Sequence, residues 1–189
     1  MTAQQVYAML ENQSLWQVAT QCHQLLAAAE IPHAIAGGVA VCLHGYQRNT
    51  VDLDLLIRKD DADAVRETLE REGFSWQAKD AEFRAPSGVA VQFLLAGDRA
   101  GPGSEIVLPD PGDERATIEI EGLLVLTLAR LIESKVACGQ ANLRRTHKDF
   151  ADVVELIVQN GLNSSFARFL HKSLRPTFRQ LVRTSRGKP

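Results

Sequence analysis

The stretch VDLDLLI, residues 51–57, constrains this chain more than any other segment. Successive residues of a strand face opposite sides, so Val51, Leu53, Leu55 and Ile57 form one apolar face. Asp52 and Asp54 share the other, about 6.7 Å apart at ~3.3 Å per residue. The pattern requires a sheet with one packed face and one face open to water or to a ligand. Two carboxylates this close repel each other, and a strand tolerates them only where water or a cation compensates.

With 189 residues, 45% of them hydrophobic, the chain can bury a substantial core without covalent staples. Cys22, Cys42 and Cys138 are odd in number and widely spaced, which suits small core residues in a reducing compartment rather than disulfides or a zinc site. No basic segment followed by an apolar stretch opens the chain, and no run approaches ~18 apolar residues. The expectation is a cytoplasmic protein that makes no use of a membrane.

Periodicity predicts a helix from Ser14 to Glu30, a short strand over residues 33–36, a turn at Gly37-Gly38 and a short helix over residues 39–44. After the 51–57 strand come a charged helix over residues 61–72 and strands near 74–77, 81–85 and 89–95. Residues 97–116, rich in Gly and Pro, read as a linker. It divides the chain into residues 1–116, a mixed α/β core, and residues 117–189, in which a strand at 117–120 precedes helices only. The class is α+β: a mixed sheet flanked by helices, followed by a helical C-terminal half.

A lone D-x-D is more often a hydrated strand end than a metal site. Its surroundings change that balance. Gly37-Gly38 follows a strand and opens a helix, a geometry that presents backbone N–H groups to phosphate. Thirteen residues then lead to Asp52, and Arg48 lies in the connecting loop, where a guanidinium can hold a phosphate bidentately. Two carboxylates at this spacing suit Mg²⁺, which completes its octahedron with phosphate oxygens and water.

Taken together, AGGVAVCLHGYQRNTVDLDLLI resembles the signature of the nucleotidyltransferase superfamily, which includes polymerase beta and kanamycin nucleotidyltransferase. The form with a double glycine, a short helix and R-x-T-x-D-x-D looks most like the bacterial AbiEii-like toxin branch. The segment LTLARLIESKVACGQANLRRTHKDFADVVEL is similar to a later segment of that branch, with Lys135 and Asp149 at the matching positions. The resemblance implies a nucleotidyltransferase-like sheet and a nucleotide cleft closed by the helical half. It implies Asp52, Asp54, Lys135 and Asp149 as catalytic residues, with two Mg²⁺ ions on Asp52 and Asp54. Gly37, Gly38, Arg48, Thr50 and Lys135 would bind the nucleoside triphosphate. Active members place a third carboxylate on a neighbouring strand, and here Gln92 occupies that place; Glu82 and Asp98 are the nearest substitutes. A neutral amide is a weaker metal ligand and no base.

Charge is unevenly distributed. All 23 acids precede residue 156, whereas seven of the 21 Lys and Arg follow it. Arg168, Lys172, Arg175, Arg179, Arg183 and Arg186 are spaced to line one helical face if Pro176 only kinks the axis. Such a run is often merely solvated, but it also suits a nucleic-acid backbone. The expected activity is Mg²⁺-dependent transfer of a nucleoside monophosphate to RNA, with tRNA as one candidate, or to a protein, in a toxin-like role with an antitoxin partner. The alternative is a catalytically impaired nucleotide- or nucleic-acid-binding module, motivated by Gln92.

Overall fold

A computed structural model describes residues 2–9 and 12–187. The strands are β1 (His33–Ile35), β2 (Asp52–Ile57), β3 (Ser75–Gln77), β4 (Glu82–Arg84), β5 (Ala90–Leu95), β6 (Thr117–Ile120) and β7 (Leu123–Leu126). They form one seven-stranded sheet in the order β3-β4-β5-β2-β1-β7-β6. β2 runs parallel to β5 and β1 parallel to β7, while the other pairs are antiparallel, so the sheet is mixed, as the class requires.

The helices are α1 (Ala3–Met9), α2 (Gln13–Ala28), α3 (Gly37–Leu43), α4 (Ala62–Arg71), α5 (Leu128–Ala141), α6 (Leu143–Gln159) and α7 (Arg175–Ser185). α2 packs on β1, β2, β7 and α4, while α3 packs on β2 and α5. Leu53, Leu55 and Ile57 are completely buried, as alternation demands. Val51 is not: it is 75% exposed, because the pairing of β2 with β5 begins only at Asp52↔Ala90 and leaves Val51 no sheet face to pack on.

Three departures from the expected elements have physical causes. β7 lies where the sequence leads one to expect only helices after residue 120. The signal is Glu121-Gly122, both at positive φ, which makes the two-residue turn that matches strand twist and closes the β6–β7 hairpin. α1 was not foreseen because its stabilising groups are distant. The Glu121 side chain accepts a hydrogen bond from Ala3 N at 2.8 Å, and Tyr7 is fully buried against Trp16. The tail is not one kinked helix: 3-10 turns at Ser164–Phe169 and Lys172–Leu174 precede α7, and Pro176 sits in its first turn. Proline there forfeits only an N–H that has no helical partner, so it starts a helix rather than bending one.

Residues 97–116 are an ordered wall. Ala100 N donates to Ile106 O at 2.8 Å, Ala100, Ile106 and Leu108 are buried, and Lys59–Asp98 and Arg58–Asp110 ion pairs at 2.6 and 2.8 Å pin the segment to the end of β2. Beyond it, β6 and β7 join the same sheet through β1. No helix among the described residues is long and apolar enough to cross a membrane. All three cysteines are free.

Beneath α2, His33 Nδ1–H donates to Ile31 O at 2.8 Å, which leaves Nε2 to accept from His23 Nδ1–H at 2.8 Å. His44 Nε2–H donates to Leu126 O at 2.8 Å, a packing role that ties α3 to β7. Burial lowers all three imidazole pKa values, against a smaller raising influence of Glu119 on His23 and of backbone acceptors on His33 and His44. The unfolded chain therefore binds protons near the ordinary histidine value of about 6.5 that the folded chain refuses. Stability is expected to hold above that pH and to fall as pH drops below it, through the lowered folded values. Urea midpoints measured from pH 8 to 5 check this, with His33→Gln flattening the decline; a midpoint that rises on acidification contradicts it.

Candidate active site

Asp52 and Asp54 project from β2 toward the face where α3 and α5 lie. Thr50, itself buried, donates its hydroxyl to Asp52 Oδ1 at 2.8 Å. Asp54 is different: among the described residues nothing donates to its carboxylate. Burial, then the charge of Asp52, raises its pKa, against opposing pulls from Lys135, Arg145 and Lys148. Two neighbouring carboxylates, one of them without a donor among the described residues, suit a cation.

The chain lies close over this pair. Gly37 and Gly38 are not a turn before α3 but its first residues, with Ala36 N donating to Asp54 O at 2.9 Å. Gly37 has φ +57°, and a Cβ there would overlap the Asp54 carboxylate. At Gly38 a Cβ would come within 2.5 Å of Thr50 Oγ1. Both glycines are required by what sits on them. Gly37→Ala is expected to cost about 1–2 kcal/mol from the left-handed backbone alone and to displace Asp54. Thermal unfolding with and without Mg²⁺ tests this: a lower midpoint and a weaker Mg²⁺ response are expected, and a wild-type response contradicts it.

Beside Gly37 and Asp54 opens a cavity of about 200 Å³, walled by α5 and α6 residues including Lys135, Ser134, Cys138, Arg145 and Asp149, and by Arg99, Ala100, Gly101 and Leu108 of the 97–116 segment. Its charged lining comprises three cations and two carboxylates, which suits the phosphate end of a nucleotide. The linker of the sequence reading thus forms one side of the site.

Lys135 and Asp149 do meet, in a larger ionic chain. Lys135 Nζ lies 2.7 Å from Asp152 Oδ2 and 3.2 Å from Asp149 Oδ1; Arg145 pairs with Asp149 at 3.0 Å. Arg48 grips Asp152 bidentately at 2.7 and 3.0 Å. Lys135 is 5%, Asp149 0% and Asp152 2% exposed, so the pairs do not belong to the surface, where ordinary pairing on α6 would have put them. Here the guanidinium of Arg48 is engaged by α6. Asp152 and Arg145 carry no motif of their own; their i+3 and i−4 offsets from Asp149 are the signal that could have placed them beside it on one helix surface.

Gln92 lies directly opposite Asp54, and its amide donates to Glu82 Oε2 at 3.1 Å. Glu82 is 4% exposed and also pairs with Arg84 at 2.5 Å. Asp52, Glu82, Arg84 and Gln92 line a second, wider pocket on the outer flank. Asp98 is held away by Lys59. Among the described residues no three His, Cys, Asp or Glu side chains converge as metal ligands.

In the tail, Arg168, Lys172, Arg179, Arg183 and Arg186 are exposed, and none of these or Arg175 is ion-paired among the described residues. Arg175, Arg179 and Arg183 recur at i, i+4 and i+8 on α7. Arg168 instead stacks on Phe169 at 4.7 Å, and Arg175 Nε donates to Leu170 O at 3.0 Å.

Residues 18–151 match the family model described as aminoglycoside-2''-adenylyltransferase. Among solved structures, an antigenic nucleotidyltransferase-like protein from Paracoccidioides brasiliensis is 19% identical with a TM-score of 0.54, covering 90% of this chain and 88% of that one. ANT(2")-Ia, solved with adenylyl-2"-tobramycin, is 16% identical with a TM-score of 0.53, over 87% and 98%. A candidate nucleotidyltransferase from Thermotoga maritima is 14% identical with a TM-score of 0.53, over 74% and 93%. At these identities the structures establish the nucleotidyltransferase-like fold. No curated protein matches the sequence.

Proposed function

Because this chain belongs to the aminoglycoside-2''-adenylyltransferase family, within the nucleotidyltransferase superfamily, we propose that it transfers a nucleoside monophosphate from a Mg²⁺-bound nucleoside triphosphate to an acceptor hydroxyl. The observation that carries this reading is Asp54: a half-buried carboxylate beside Asp52, without a hydrogen-bond donor among the described residues and covered by Gly37. Asp52 and Asp54 would hold the divalent metal. When bound, Mg²⁺ supplies charge neutralisation to the phosphates and the leaving pyrophosphate. Thr50 fixes the Asp52 carboxylate, Gly37 and Gly38 leave room for phosphate against the backbone, and Lys135 with Arg145 balances phosphate charge in the cavity. Arg48 and Asp149 act through Asp152 and Lys135, holding that lysine in place.

For the acceptor, the unpaired cations of residues 168–186 favour RNA, tRNA among the candidates, over a polycation. The three free cysteines suit a reducing, cytoplasmic setting. On the AbiEii-like, toxin-like reading an antitoxin protein would oppose the activity, and protein is the other acceptor considered. A second reading, favoured by Gln92, is a nucleotide-binding module without turnover.

Incubation with each α-labelled triphosphate, Mg²⁺ and either total tRNA or tobramycin separates them. Label on RNA is expected. Label on tobramycin instead would keep the transferase and overturn the acceptor. Mg²⁺-dependent nucleotide binding with no transfer to either, or to added protein, would overturn the transferase in favour of the module.

A further inference from the structure

The side chains of Arg84, Ala90 and Asp52 form one row across β4, β5 and β2, and those of Glu82, Gln92 and Asp54 form the next. Directly paired residues of neighbouring strands project to the same face, so Gln92 stands between an orphaned aspartate and a buried glutamate. Its amide has one donor end and one acceptor end. The Glu82 carboxylate, 3.1 Å away, takes the nitrogen end, since an oxygen there would face an oxygen. The planar amide then directs Oε1 away from β4 and toward β2, whose Asp52 lines the same pocket.

Resting on the metal site proposed above, we infer that Gln92 Oε1 is a third, neutral ligand of the divalent cation held by Asp52 and Asp54, and that Glu82 is the positioning residue that orients it. Amide oxygens are ordinary ligands for hard cations. Glu82 carries its charge one strand further out than Gln92, on β4. Glu82 is 4% exposed and is held between the Gln92 amide and the Arg84 guanidinium, so its carboxylate is fixed where the amide nitrogen meets it. A group that orients a metal ligand by a hydrogen bond is typically worth about 10–100-fold in metal affinity. The arrangement also leaves no base at position 92, so the acceptor's proton is not taken up there.

The test is Mn²⁺ binding to the full-length protein without nucleotide, read from the free-ion electron paramagnetic resonance signal. Metal-free unfolding midpoints confirm that each variant is folded. Wild type is expected to bind and Asp54→Asn to fail. Gln92→Leu should weaken binding about 10-fold or more, Gln92→Glu should tighten it, and Glu82→Gln should weaken it in the wild-type background. In a Gln92→Leu background, Glu82→Gln should add nothing, because no amide remains to orient. Unchanged affinity in Gln92→Leu overturns the inference while leaving the metal site intact. An equal loss from Glu82→Gln in both backgrounds overturns the orienting role. Absence of Mn²⁺ binding by wild type removes the metal site and this inference together.

Discussion

Asp54→Asn is expected to abolish transfer, by about 10³-fold or more in kcat/KM, and at the same time to raise the stability of the metal-free protein. The two effects share a cause. Asp54 lies half-buried next to Asp52 with no donor among the described residues, and burial, then the charge of Asp52, raises its pKa above the ordinary carboxylate value. An acid with a raised folded pKa is protonated more readily folded than unfolded, so its contribution is retained below the unfolded value and lost as pH climbs through the folded one. At neutral pH the ionised side chain therefore works against the fold until a cation arrives. An amide of the same shape removes the repulsion, a gain on the order of 1 kcal/mol of the kind seen when active-site strain is relieved. It also removes the charge that a metal and the transition state require. Thermal unfolding with and without Mg²⁺ measures the first effect and labelled-nucleotide transfer the second. A variant less stable than wild type in chelator-treated buffer, or one that keeps its activity, contradicts the assignment.

Lys135→Met should be the most damaging single change in the helical half, costing about 3–5 kcal/mol. Lys135 is 5% exposed and is the shared cation between Asp149 and Asp152, which lie on α6 while the lysine lies on α5. Removing it leaves two buried carboxylates facing each other with only Arg145 and Arg48 at their outer sides. A buried pair adds little net stability, because desolvation offsets attraction, but a broken one leaves charge without compensation. Arg145, more than half exposed, is the internal control: Arg145→Ala should cost about 1 kcal/mol or less. Urea unfolding separates the two, and a Lys135→Met variant as stable as Arg145→Ala would show that the cluster is not a structural weld. Lys135→Met with Asp149→Asn and Asp152→Asn should recover much of the loss, since the uncompensated charges are gone.

Much of this molecule follows from local pattern. Alternation in VDLDLLI placed Asp52 and Asp54 on one face and Leu53, Leu55 and Ile57 on the other, because side-chain period in a strand is two wherever the strand lies. The superfamily and the mixed sheet were likewise legible in motif order, whereas the contact of Lys135 with Asp149 was not. Other features depend on residues far apart in the chain, and no window of sequence contains them. Glu121 reaches α1 across 118 positions, Arg48 reaches Asp152 across 104, and Ala100 and Leu108 of an apparent linker wall the cavity. Val51 shows the limit in the other direction: its pattern was that of core, but burial needs a neighbouring strand, and β5 stops one residue short of it.

Local pattern supplies the chemistry on offer: two carboxylates on one strand face, two glycines before them, a lysine and an aspartate on later helices, and a glutamine where a third acid is expected. How each of those groups is engaged depends on contacts between distant segments. The sheet register set Gln92 between Asp54 and Glu82, and helix packing turned Lys135, Asp149 and Asp152 inward. The physical reason is that residue type and spacing specify which atoms a short segment can present, whereas burial, pairing and the resulting pKa depend on which distant segments exclude water around them.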